Sequence, residues 1–183
     1  MGRTADYRNE TCSVAAALSV VGDPWTLLIL RDAFSGSRRF EQWQTSLGVA
    51  RNVLAARLKS LVAHEVFTTR LYSEKPPRKE YILTAKGRDL MPVLLALSHW
   101  GQTHIYEPGE APGQFVHTPC DHILEPVLTC AHCREQVKLG DLKAMPEPED
   151  VKTVGEALAS KSAALSVDAI NPPPSTRSGS AGS

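Results

Sequence analysis

The chain is short of several things, and each shortage excludes something. Four cysteines in 183 residues, unevenly spaced, are too few for the disulfide frame of a secreted scaffold. They read as metal ligands or reactive thiols in a reducing compartment. No apolar run approaches the roughly 20 residues that cross a bilayer, and MGRTADYRNETC lacks the basic-then-apolar layout of a signal peptide. A cytoplasmic protein with no membrane partner is therefore expected. There is no phosphate-cradling glycine loop, no paired carboxylates in an apolar setting and no Ser/His/Asp constellation, so the chain does not read as an enzyme. Net charge is also missing, with 20 Lys and Arg against 20 Asp and Glu. What is present is a hydrophobic content of 42%, enough for one domain with appendages or two small ones.

The neutral total hides a polarised molecule. Between residues 36 and 90 eleven Lys and Arg stand against five Asp and Glu, a surplus of six, so the remainder carries the opposite surplus. This basic part contains SRRFEQWQTSLGVARNVLAARLKSLVAHE, which reads as two short helices and a tight turn. Phe40, Trp43 and Leu47 recur at the spacing of one buried helical face, with Ser37 placed as the N-cap. Gly48 breaks the pattern. A second helix then turns Leu54, Leu58, Leu61 and Val62 inward and leaves Arg51, Asn52, Ala55 and Lys59 outside. A slim cationic face on a helix pair suits a helix-turn-helix entering a major groove, whereas the commoner alternative is an ordinary antiparallel helix pair. FTTRLYSEKPPRKEYILT follows, with Phe67, Leu71, Tyr72, Tyr81 and Leu83 favouring strands around a polar tip from Ser73 to Lys79. That tip is a basic finger beside a basic helix, an arrangement that phosphate neutralisation favours.

The flanks supply helices. Residues 1 to 10 read as a flexible leader, and Val14, Ala15, Leu18 and Val21 form a helical face ended by Gly22. Asp23 caps the next helix with Pro24 at its first position, where the missing N–H costs nothing. That helix, Trp25 to Phe34, should be the buried centre, with Trp25 and Trp43 as core residues. Thr84 caps a long helix from Ala85 to about Ile105, bent by Pro92. It carries Leu90, Val93, Leu94, Leu97 and Trp100 on one stripe, with Met91 and Leu95 on part of a second. Two apolar faces are more than one small domain buries, so the second is expected to meet another subunit.

The motifs GDPWTLLILRDAFSGSRRFEQW, LAARLKSLVAHE and PPRKEYILTAKGRDLMPVLLALSHWG, in that order, resemble the HxlR family of bacterial winged-helix transcription regulators, relatives of the MarR type. The likeness runs from about Cys12 to Trp100, with a further piece near Cys120 to Cys133. It implies a mainly α fold with a small β wing, spanning 11–107, that dimerises through terminal helices. It further implies a homodimer on a palindromic promoter element, a repressor in the reading taken here, answering a chemical stress or small effector. One departure is notable: where the family commonly places an acidic residue and glycine before the first wing strand, this chain has Ala63-His64-Glu65-Val66.

Within this frame Arg51 and Asn52, at the start of the second helix, are expected on base edges beside Ala55. Arg57 and Lys59 would meet phosphate further along. Lys75, Arg78 and Lys79 would grip the backbone or the adjacent minor groove. Arg38 and Arg39 would touch phosphate at the entry helix, unless Arg39 pairs internally with an acid. Two rival functions stay open: a winged helix that docks proteins, and a thiol-disulfide oxidoreductase built on C-x-x-C, although no βαβ pattern surrounds that motif.

The thiols form two groups. VHTPCDHILEPVLTCAHC, within a small segment 108–140, offers His117 and Cys120, then Cys130 and Cys133, each pair separated by two residues. This is the ligand spacing of a zinc-ribbon-like structural zinc site, with His122 or His132 as alternative fourth ligands and unligated thiols or a disulfide as the competing reading. Cys12 stands apart at the start of the first helix. There the helix dipole favours a thiolate, and there HxlR-type redox and electrophile sensors carry their responsive cysteine. The competing reading is a small residue buried under a dimer contact. Beyond residue 140 the chain turns acidic and Pro-rich, with at most one weak helix before a low-complexity end expected to be disordered.

Overall fold

A computed structural model describes residues 6–161. The described residues divide into two compact units, 20–146 and a smaller one formed by 6–19 with 147–161. The end of the tail expected to be disordered, NPPPSTRSGSAGS, lies outside the described residues.

The first helix, α1 (Ser13–Val21), belongs to the smaller unit except for its last two residues, and the larger unit is then built in the order α2 (Pro24–Phe34), α3 (Phe40–Leu47), α4 (Arg51–Ala63), β1 (Phe67–Glu74), β2 (Pro77–Leu83), α5 (Ala85–Arg88) and α6 (Met91–Ile105). Two further short strands follow, β3 (Val116–His117) and β4 (His122–Ile123). The wing is the antiparallel pair β1–β2, and β3–β4 is a separate hairpin. Among the described residues no single helix is long and apolar enough to cross a membrane.

α2 is the centre, as its composition requires. Asp23 Oδ1 accepts the Trp25 N–H at 3.0 Å, Pro24 opens the helix, and Ile29 and Leu30 are fully buried. Leu54, Leu58 and Leu61 of α4, with Val66 and Phe67, close over them. Trp43 fills the gap between helices and wing: its indole N–H donates to Ile29 O at 3.0 Å, and its ring lies 5.8 Å from those of Phe67 and Tyr81. Aromatic edges and faces meet favourably at such separations. Trp25 is only half-buried at the edge of this core.

Three expectations need correction. Ser37 does not cap α3, because Arg38 and Arg39 are extended to pair with the wing: Tyr81 N–H donates to Arg38 O at 2.7 Å and Arg39 bridges to Glu80. The cap comes from Gln42, whose side chain accepts the N–H groups of Arg38 and Arg39 at 2.9 and 2.8 Å. The long helix after the wing is in fact two, α5 and α6, since Pro92 has no N–H to give the preceding turn and takes the second position of a new helix. Its stripe also divides: Leu90 and Leu94 pack on the core, while Val93, Leu97 and Trp100 face outward.

The turn into the wing keeps its sharp shape without glycine. Glu65 adopts a left-handed φ of 58°, and the Val66 N–H closes back to Leu61 O at 2.9 Å. Thr84 then ties the far end of the wing to this turn, its hydroxyl donating to Glu65 O while it accepts the Gly87 N–H at 3.0 Å. Gly87 lies so close that a Cβ there would stand 2.2 Å from Val66 O.

The smaller unit uses the N-terminal residues first read as a loose leader. Residues 154–161 are helical, and the amides of Val154 and Gly155 donate to Glu10 O and Arg8 O at 2.7 and 3.0 Å. Ala15 and Val154 are its buried apolar side chains.

Candidate nucleic-acid interface

Gly48, left-handed at φ 61°, ends α3 and lets the chain reverse, after which buried Val49 anchors the turn and α4 begins at Arg51. Arg51, Asn52, Ala55, Ala56 and Lys59 are all exposed along one side of α4. Two alanines in the middle keep that side narrow, so backbone and flanking polar groups can approach base edges. Arg51 is held rather than loose. Its Nη1 donates to Gln44 Oε1 at 3.1 Å, and the guanidinium lies 4.7 Å from the centre of the Phe40 ring.

Arg57 departs from the expected role. It turns inward, its buried Nε 3.4 Å from Asp23 Oδ2, an ion pair that ties α4 to the cap of α2 instead of offering a cation to phosphate. The physical reason is position: Arg57 follows Leu54 by three residues and precedes Leu61 by four, on the flank of the buried stripe.

The wing presents Lys75, Arg78 and Lys79 exposed at its end. The strands run almost to the tip, with Glu74 opposite Pro77, so the turn is shorter than the seven residues from Ser73 to Lys79 suggested. Further down, buried Glu80 takes Arg70 in a salt bridge of 2.6 Å, so the wing's inner acid is neutralised from its own sheet. Arg38 and Arg39 are exposed between α2 and α3. The internal partner of Arg39 is an aromatic ring, not an acid: its guanidinium lies 4.4 Å from the centre of Tyr72. Burial, and secondarily the charge of Glu41, raises the pKa of the neighbouring Tyr81 hydroxyl above its ordinary value.

The structure thus brings the α4 cations, the wing tip and the Arg38–Arg39 entry segment onto one connected framework of α3, α4 and hairpin. Sequence reasoning missed the braces, Gln44, Phe40 and Tyr72. Phe40 was assigned wholly to the core, and the seven-residue separation of Gln44 from Arg51 spans a turn, where helical spacing gives no guidance.

The Cys/His segment lies elsewhere in the same unit. His117 and Cys120 sit on the β3–β4 turn, His117 Nδ1 3.2 Å from Cys120 Sγ. Cys130 and Cys133 occupy a second turn, where the N–H groups of Cys133 and His132 point at Cys130 Sγ and lower its thiol pKa. Among the described residues no three His, Cys, Asp or Glu side chains are gathered as a metal-holding group. Cys12 is exposed just before α1, its carbonyl accepting the Ala16 N–H at 2.9 Å.

A trihelical core with a recognition helix, a hairpin wing and a basic face defines a winged helix-turn-helix transcription regulator that binds DNA. A family model described as HxlR-like helix-turn-helix matches residues 20–108, and an uncharacterised HTH-type transcriptional regulator of Mycobacterium tuberculosis is 41% identical over 142 residues, 78% of this chain and 90% of that one. The protein belongs to the HxlR-like helix-turn-helix family. Among solved structures it is similar to a candidate transcription factor, PA1607, at 36% identity and TM-score 0.69, covering 78% of this chain and all of that one. A second candidate transcription factor, PA1374 from Pseudomonas aeruginosa, matches at 32% identity and TM-score 0.56, covering 80% of this chain and 99% of that one.

Proposed function

We propose that the protein is a homodimeric repressor that reads a palindromic operator with paired α4 helices and grips the flanking backbone with its wings. The observation that carries this reading is the outer face of α6. Val93, Leu97 and Trp100, spaced as one helical stripe, are 52%, 50% and 57% exposed, although Leu94 beside them packs on the core. Because each is only about half exposed, covering it in a second copy is worth roughly half of the 1.5 to 3 kcal/mol of full burial, a gain made twice over in a symmetric contact. A two-fold protein matches a two-fold site, with its recognition helices about 34 Å apart in successive major grooves. On that reading Arg51 and Asn52 contact bases beside Ala55, and Lys59, Lys75, Arg78, Lys79, Arg38 and Arg39 neutralise phosphates. A dimer so placed denies polymerase the same stretch of duplex, which makes repression the expected outcome.

The test is a footprint on the DNA upstream of its own gene, with the mass of the protein measured in the same buffer. Two protected half-sites about one helical turn apart, bound by a dimer, support the proposal. A monomer in solution, or indifference to every duplex at low salt, would overturn it and leave the winged helix as a protein-docking module.

A second reading concerns the signal. Cys12 is exposed, as are Cys120 and Cys133, and so open to oxidants and electrophiles; its place at the start of α1, apart from the Cys/His segment, makes it the candidate responsive thiol. Cys12→Ser is expected to bind DNA normally and to ignore quinone or peroxide. Release of that variant by either reagent would eliminate the role.

A further inference from the structure

The segment from 108 to 146 raises a problem of stability. It contains no buried residue: Ile123, Val127 and Leu128 are 55%, 63% and 71% exposed, and Leu139 is 90% exposed. A stretch this poor in core ordinarily needs a cross-link to hold one shape.

It nevertheless holds two turns of the same construction. In the first, the N–H groups of Cys120 and Asp121 donate to His117 O at 3.0 and 2.9 Å, and Asp121 is left-handed at φ 56°. In the second, the Arg134 N–H donates to Cys130 O at 2.8 Å, and Arg134 is left-handed at φ 65°. Each turn caps a short antiparallel pairing, His117 with His122 and Thr129 with Gln136. A left-handed conformation is unfavourable for a residue with a Cβ, yet it recurs directly after Cys120 in the first turn and Cys133 in the second. In the first turn the two candidate ligands face each other, His117 Nδ1 lying 3.2 Å from Cys120 Sγ.

We infer that these two turns are the halves of a structural Zn²⁺ site, with His117 and Cys120 from one and Cys130 and Cys133 from the other. Thiolate and imidazole are the donors that suit zinc, and four of them from two knuckles complete a closed tetrahedral shell. His122 is the less well placed alternative to His117: its Nδ1 is already engaged with Cys120 O, whereas His117 Nδ1 is beside Cys120 Sγ. The two pairs are not drawn to one point among the described residues. Metal uptake must therefore close the hairpins on each other, with the three thiols releasing their protons to solvent as the Zn–S bonds form. The first hairpin follows directly on Phe115, which with Leu27, Phe34 and Leu94 lines a cavity of about 500 Å³, so this staple would also anchor one wall of that cavity.

The test uses full-length protein, purified under reducing conditions without chelator, with zinc measured by elemental analysis and thiols counted before and after chelation. About one zinc per chain is expected, with Cys120→Ser and Cys133→Ser each weakening Zn²⁺ binding more than about a hundredfold, beyond the loss typical of outer-shell changes. His117→Ala should weaken it similarly and His117→Cys restore it, while His122→Ala and His132→Ala leave it unchanged. Co²⁺ added to the wild-type protein should give the intense visible absorption of a tetrahedral thiolate complex, which keeps the proposal testable if a variant misfolds. Less than about a tenth of an equivalent after Zn²⁺ is added to reduced protein would overturn it. So would bound iron in place of zinc, a Cys130–Cys133 disulfide under those conditions, or full zinc retention in Cys120→Ser.

Discussion

Arg51 Nη1 donates to Gln44 Oε1 at 3.1 Å across the turn between α3 and α4, so the leading cation of the recognition helix is positioned by the helix before it. Holding a long side chain in place beforehand removes part of the ordering cost of binding. Arg51→Ala should cost roughly 1 to 3 kcal/mol on a specific site and relax preference at one base position. Gln44→Ala should give a smaller loss in the same direction. Fluorescence anisotropy on an operator and its single-base variants checks both, and a uniform loss over all sequences would contradict the assignment.

Lys79, exposed on the wing, should behave differently. Lys79→Ala is expected to weaken all duplexes alike and to reduce the slope of log affinity against log salt by about one. Arg57→Ala, by contrast, should leave that slope unchanged and lower the stability of the fold by about 1 kcal/mol, because its partner is Asp23. Salt titrations and thermal melts separate the two.

Glu65 offers a stabilising change. A residue with a Cβ pays roughly 1 to 2 kcal/mol in the left-handed region, and glycine gives back part of this through its larger unfolded-state entropy. Glu65→Gly should therefore raise the melting temperature by a few degrees. A lower melting temperature would show that the Glu65 side chain contributes more than its backbone costs.

Gly87 predicts the opposite sign. The nearest obstacle to an added methyl is a backbone oxygen, which cannot swing away. Gly87→Ala should destabilise by about 1 to 3 kcal/mol, the usual range for overpacking, and denaturant titration reads it directly.

The outer face of α6 gives the last prediction. Trp100→Glu places a charge on the exposed stripe away from the cavity lined by Leu27 and Leu94, so it should yield a folded monomer that binds a full operator at least about tenfold more weakly, since a paired site is lost. Sedimentation and a gel shift on full and half sites test it.

Much of this fold is legible in the sequence. The i, i+4, i+7 spacing of Leu54, Leu58 and Leu61, the Asp23-Pro24 start and the Gly48 break each fix a local structure by a mechanism that acts within a few residues. Ser37 misled because its capping potential competes with a partner far along the chain, the wing edge at Glu80 and Tyr81. Pro92 misled for a related reason: a proline inside a helical pattern either bends a helix or starts one, and local sequence does not distinguish the two. Arg57 and Arg39 were read by charge alone, whereas their partners, Asp23 and Tyr72, come from other elements. Long-range pairing is what local periodicity omits.

The single backbone bridge from Arg38 and Arg39 to the edge of β2 has a mechanical consequence. Because the strap that leads into α3 is stitched to the hairpin and α4 packs on β1, movement of the finger is coupled to the helix pair. A signal that tilts one tilts both, so groove reading and backbone grip should be gained or lost in one step rather than graded separately.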